Sequence, residues 1–161
     1  MEENAGTIIG VNGNMITVRF TGAVAQNEVG YAEVAGAAGA QRLMAEIVRI
    51  RGREADMQVF EDTRDLAVGD AVSFSGNLLA AELGPGLLKQ IYDGLQNPLP
   101  QLAAQCGFFL QRGTYLNALD REAEWAFTPC VKPGDRVTAG EALGTVPEGI
   151  FKHRIMVPFS F

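Results

Sequence analysis

Histidine, cysteine and positive charge are all in short supply in these 161 residues. There is one histidine, His153, and there are two cysteines, Cys106 and Cys130. A structural zinc site takes four nitrogen or sulfur ligands, and a lone imidazole with no companions at ligand spacing supports none. The cysteines form no CxxC and are too few for a disulfide framework, so they read as reduced core residues of a cytoplasmic protein. Thirteen Lys and Arg face nineteen Asp and Glu, for a net charge of −6. Binding to nucleic acid needs clustered cations to neutralise phosphate, so no nucleic-acid partner is expected. No apolar run approaches the roughly 18 residues of a membrane span. The start, Met1-Glu2-Glu3-Asn4, has neither the basic residues nor the apolar core of a signal peptide. The phosphate-cradling pattern Gly-x-x-x-x-Gly-Lys-(Ser/Thr) is also missing: Gly84 and Gly86 are not followed by it. Asp120 and Glu148 read as turn and surface carboxylates. From the sequence we therefore assign no catalytic, cofactor-binding or metal-ligating residue.

Glycine and proline, by contrast, are plentiful, with nineteen and seven. That many chain-turning residues points to short strands rather than to a helix bundle. Residues 6–81 alternate apolar and polar. Thr7–Val11 and Met15–Phe20 flank Asn12-Gly13-Asn14, a tight-hairpin signal because both turn residues tolerate positive φ. Further strands are expected at Gly30–Val34, Leu43–Ile50, Ala55–Glu61, Asp70–Ser75 and Leu78–Leu83, with Ala35–Ala40 as an exposed loop. On the Leu43 strand, Leu43, Ala45, Ile47 and Arg49 are expected to share one face, and Met44, Glu46, Val48 and Ile50 the other. Five to seven short strands with regular turns suggest a small closed barrel, which leaves no open edge.

The stretch from Glu82 to Leu99 changes character. Gly84-Pro85-Gly86 opens it, Leu87, Leu88, Ile91, Tyr92 and Leu95 recur at helical spacing, and Asp93-Gly94 and Pro98 close it. The reading is a short amphipathic helix acting as a hinge. Leu99–Cys106 shows a second, brief helical pattern, and Trp125, the only tryptophan, reads as a core anchor. In Val131–Val146, Pro133-Gly134-Asp135 and Ala139-Gly140-Glu141 are turns around a short strand at Arg136-Val137, with Leu143–Val146 a strand after them. A last strand runs through Lys152 to Val157.

Several of these runs carry a specific resemblance. Glu82-Leu83-Gly84-Pro85-Gly86-Leu87-Leu88 with Ile91-Tyr92-Asp93-Gly94-Leu95-Gln96-Asn97-Pro98-Leu99 resembles the catalytic A subunit of V-type and A-type rotary ATPases, which has Arg where Asn97 stands. Leu43–Gly52, Met57–Thr63, Leu66–Asp70, Phe108–Gly113, Ala118–Arg121, Trp125–Pro129 and Ile155–Pro158 resemble the same family, which often has Met-Tyr-Glu at Gln26-Asn27-Glu28. The resemblance implies a mainly β protein. A small closed barrel (residues 1–83) would lead through a connecting helix (84–100) to part of the subunit's extra β-rich, barrel-sandwich or hammerhead-like domain (101–161). It further implies a piece of a longer subunit that makes or hydrolyses ATP, with ATP and Mg bound elsewhere in the parent and no cofactor here. The partners would be B subunits of the hexameric ring and peripheral stalk subunits. The place would be the cytoplasmic head, without membrane insertion.

Two other readings stay open at this stage. Gly140–Val146 also fits a biotinyl or lipoyl carrier, but the lysine slot falls near Gly149-Ile150 and holds none; Lys152 lies beyond it. A stand-alone β-rich adaptor is the other. Arg49, Arg51, Arg53, Glu61, Asp62 and Asp65 read either as cross-subunit ion pairs or as solvated strand ends, and exposed pairs are worth only ~0–1 kcal/mol.

Overall fold

The computed structural model describes residues 4–36 and 39–159. Two units separate in it. One runs to Ala80 and takes in Phe108–Thr114; the other holds Ala81–Gly107 and the chain from Tyr115 onward.

The first unit is a barrel. Six strands, β1 (Ala5–Asn12), β2 (Met15–Phe20), β3 (Glu28–Gly36), β4 (Gly39–Arg51), β5 (Glu54–Val59) and β6 (Ala71–Leu78), close in the order β1-β2-β5-β4-β3-β6. Every neighbour is antiparallel. The period-2 pattern sends Ile8, Ile16, Val18, Leu43, Ile47 and Met57 into one core, each 0–1% exposed. Burying side chains of this kind contributes ~1.5–3 kcal/mol each. Asn12 pairs with Met15 around Gly13, at φ 60°, so the expected hairpin turn forms. Gly6 is a glycine for space: a Cβ there would lie 2.5 Å from Val18 Cγ1.

Three expectations change. Arg49 does not share the inner face of β4, because the register shifts between Ile47 and Arg49 and one extra residue enters the strand. The bulge turns Arg49 outward and brings Ile50, expected on the outer face, against the core. Residues 35–36 and 39–40 are not loop but continue the ladder, with Ala35 opposite Ala40 and Gly36 opposite Gly39; residues 37–38 lie outside the described residues. No strand follows at 79–83, since β6 ends at Leu78 and six strands already close the barrel. Leu83 is accordingly 81% exposed.

In the second unit the helix stands at Leu99–Cys106 (α1), with Pro100 in its first turn and Gly107 receiving its end: the Gly107 N–H donates to Ala103 O at 2.8 Å. Residues 84–98 are not the connecting helix that their apolar spacing suggests. Gly86, Lys89 and Gln96 take φ of 104°, 68° and 63°, which no α-helix admits. Side chains also claim the backbone. Asp93 Oδ1 accepts the N–H groups of Leu95 and Asn97, and the Gln96 amide bonds Glu82 in both directions at 2.7 Å. Such local bonds compete with a helical ladder. A three-stranded antiparallel sheet, β7 (Thr128–Pro129), β8 (Ala142–Glu148) and β9 (Phe151–Met156), completes the unit. The strand expected at Arg136-Val137 is absent. Asp135 and Glu141 bind the N–H groups of Lys132 and Thr138, making turns instead.

Candidate functional site

The side chains that hold each unit's loops in place are polar ones. In the barrel, Glu28 is 3% exposed at the start of β3. Its Oε2 accepts the Ala25 N–H and its Oε1 the Gly76 N–H, both at 2.8 Å, so one carboxylate ties the β2–β3 turn to the bend in β6. Nothing in the spacing marks Glu28, because its partners are 3 and 48 residues away.

Arg112 is the second such residue. Its Nε donates to Gln41 Oε1 at 3.0 Å, Nη2 to Asp65 Oδ2 at 2.7 Å, and Nη1 to the carbonyl oxygens of Asp62 and Arg64. The rigid fork of a guanidinium suits such a set of acceptors. Gly113 follows at φ 74°, its N–H bound to Glu61 Oε1 at 2.8 Å. Residues 108–114 are thereby strapped to the barrel, and Phe108, Phe109 and Leu110 stand outside it, 70–103% exposed. The only sequence signal for this anchor is the Arg-Gly of the resemblance at Phe108–Gly113.

Most of the charges with two readings find partners within the chain. Arg49 and Arg51 both bind Asp56, at 3.2 and 2.8 Å. Burial of the Asp56 carboxyl would raise its pKa, but hydrogen bonds from Thr17, Arg51 and Arg49 hold it below the usual carboxylate range. Asp62 is likewise lowered by the Arg64 N–H and guanidinium. Glu61 and Asp65 serve the Arg112-Gly113 anchor, and Arg53 is exposed.

Two residues of the second unit are corrected by their surroundings. Trp125 is not a core anchor: it is 38% exposed, with its ring against Gly86, where a Cβ would stand 3.4 Å from Cζ2. Glu148 is not a surface carboxylate: its side chain is 12% exposed. Oε1 accepts the Leu88 N–H at 3.1 Å, and Oε2 lies 2.5 Å from His153 Nε2, a contact without hydrogen-bond geometry. Burial works to raise its pKa, yet the Gly86 N–H, His153 and the Leu88 N–H hold it low. Glu148 and Trp125 line one cleft of about 270 Å³, together with Asp120, Gln90, Gln101 and Pro85. Asp120 is exposed, as expected, its Oδ1 taking the Glu122 N–H.

The cysteines are free but do not sit in a core; Cys106 is half-buried and Cys130 exposed. Among the described residues no three His, Cys, Asp or Glu come together as a metal site, and no helix is long and apolar enough to cross a membrane. Gly149-Ile150 forms the tip of the β8–β9 hairpin, with Lys152 down in β9 opposite Pro147, so the carrier reading finds no support.

A closed six-stranded barrel followed by a short sheet is the arrangement that the comparisons with known proteins match. Residues 8–76 fit the β-barrel domain of the ATP synthase alpha/beta family, and residues 116–161 fit the ATP synthase alpha/beta subunit barrel-sandwich domain. The chain belongs to the ATP synthase alpha/beta family. Within it, the similarity is to V-type ATP synthase alpha chains. Identity is 58% over 160 residues with the alpha chain of Treponema denticola, 60% over 159 with alpha chain 1 of Treponema pallidum, and 55% over 157 with that of Borrelia hermsii. These alignments cover 98–99% of this chain but only 26% of each relative.

Proposed function

We propose that the chain is the assembly portion of the catalytic alpha chain of a V-type ATP synthase. The observation that supports this most is 58–60% identity running through both modules, across 99% of the residues. In this reading the parent subunit makes or hydrolyses ATP, binding ATP and Mg outside these 161 residues, and couples the reaction to movement of protons or sodium ions. The barrel, to about residue 83, joins the ring of barrels formed with B subunits. Residues 84–100 connect it to the extra domain from 101 onward, which meets the peripheral stalk. The assembly would work on the cytoplasmic side, peripheral to the membrane. A closed barrel suits such a role: it has no strand edge to add to, so its contacts are made by side chains and remain selective.

The test is a chimera. The matching quarter of the Treponema denticola alpha chain is replaced by this chain and co-expressed with that organism's other head subunits. Assembly of an intact head with Mg-dependent ATPase activity is expected, together with no calorimetric ATP binding by the 161 residues alone. A folded chimera that stays outside the complex, or micromolar ATP binding by the chain itself, would overturn the reading.

A further inference from the structure

We propose that Glu148 and His153 form a proton-operated latch that fastens the β8–β9 hairpin to residues 86–88, closed while the imidazole is charged and slack once it is neutral. Glu148 stands at the end of β8, beside the Gly149-Ile150 tip and across from Phe151. Its Oε1 accepts the Leu88 N–H at 3.1 Å, a bond that joins residues 60 apart in the chain. Its Oε2 lies 2.5 Å from His153 Nε2 on β9. Both atoms are shut off from water, and among the described residues neither has a hydrogen-bond partner. A buried polar pair in that state requires a physical cause.

Charge supplies it. Lone pairs of N and O facing each other at 2.5 Å would repel, so Nε2 carries a proton. A neutral ring with its proton on Nε2 would gain little, because a hydrogen bond weakens steeply when misaligned and this contact lacks the alignment. Attraction between imidazolium and carboxylate depends on distance rather than angle, and it grows where water is excluded. Once His153 is neutral, its ring still covers Oε2 and leaves a buried carboxylate oxygen uncompensated, which is costly. Glu148 can relieve this by swinging into the cleft it lines, which gives up the Leu88 N–H. Two other charged groups lie near the pair. The Lys89 ammonium is 3.8 Å from where a Cβ on Gly149 would sit, and Asp120 lines the same cleft as Glu148. Lys152 and Arg154 flank His153 on β9 and, by strand alternation, face the opposite side. β7 and the rest of β8 have no titratable side chain. Of all these group types, only an imidazole ordinarily changes charge between about pH 5 and 8. Burial raises the Glu148 carboxyl, but the Gly86 N–H, His153 and the Leu88 N–H lower it by more, so it stays ionised over that range. The latch therefore stabilises the hairpin on the acid side of the imidazole titration and is lost as pH rises through it.

The chain's single histidine and single tryptophan make the test direct. Hydrogen exchange of the full chain is followed by NMR at about pH 5.5 and about pH 8, each rate divided by the intrinsic rate at that pH. Protection of the Leu88 amide should fall at least fivefold from the lower pH to the higher, while Ile47 and Met57 in the barrel keep theirs. Emission of Trp125, whose ring lies against Gly86, should change over the same interval, with the midpoint shown by the ring-proton shifts of His153. In His153→Gln the Leu88 amide should be poorly protected at both pH values and the Trp125 emission flat. Equal Leu88 protection at both pH values in the unaltered chain, or a pH step that survives in His153→Gln, overturns the proposal. Where His153→Gln does not fold, the unaltered chain decides: a change at Leu88 or Trp125 whose midpoint departs from that of His153 overturns it equally.

Discussion

Asn97 donates its side-chain amide to Asp93, Nδ2 to Oδ2 at 2.9 Å, and receives the Leu116 N–H on Oδ1 at 2.8 Å. It is 4% exposed, at the position where the resembling family carries arginine. The pair holds the 93–97 loop closed and ties it to the chain 19 residues on.

Replacing Asn97 by alanine leaves a half-buried carboxylate oxygen and a half-buried N–H without partners. Each bare group costs ~1–3 kcal/mol. Asn97→Ala is therefore expected to lower the urea midpoint of the second unit while the barrel transition stays in place. An unchanged midpoint would show the loop to be held by other means.

Glu28 makes the matching prediction for the barrel. Glu28→Ala uncovers the Ala25 and Gly76 N–H groups at a site 3% exposed. The expected loss is ~1–2 kcal/mol: two hydrogen bonds to the carboxylate are lost, and water reaches the N–H groups of Ala25 and Gly76, both on exposed residues. Glu28→Gln keeps one oxygen acceptor and should lose less, by thermal or urea unfolding.

Arg112→Ala removes four of the contacts that strap residues 108–114 to the barrel. Amide exchange at Gly113, whose N–H is held by Glu61, should rise at least tenfold, while amides facing the core at Ile47 and Met57 keep their protection. Chymotrypsin should cut sooner at the exposed Phe108-Phe109-Leu110. Arg112→Lys retains the charge for Asp65 but not the fork, and should fall between the two.

Acid is expected to destabilise the barrel through Asp56. Its folded pKa lies below the ordinary 3.8, because Thr17, Arg51 and Arg49 outweigh the effect of burial. A depressed carboxylate contributes stability that is complete above its unfolded pKa and is lost as pH falls through the folded value. Stability should thus hold steady above about pH 5 and decline below about pH 4. Asp56→Asn should flatten part of that decline, measured as unfolding free energy against pH.

What could be read beforehand and what could not divide along a physical line. Alternation with period two is local, so Met15–Phe20 and the Asn12-Gly13 hairpin were legible residue by residue, and the strands' shared apolar faces implied a barrel. Leu99–Cys106 likewise showed its helix. At residues 84–98 the same kind of reading failed. The apolar spacing was helical, but Asp93, Gln96 and Asn97 spend their side chains on the backbone, and the loop they make rests on partners at Glu82 and Leu116.

By itself, then, the sequence determined a strand-rich chain with a closed core, because alternation and turn residues act within a few positions of one another. Its motifs further determined the family. The tertiary structure alone decided that β4 bulges after Ile47, that Arg112 grips the barrel from 47–71 residues away, and that Trp125 and Glu148 share a cleft. Those outcomes depend on which distant donor meets which acceptor. Only the folded chain brings such groups together.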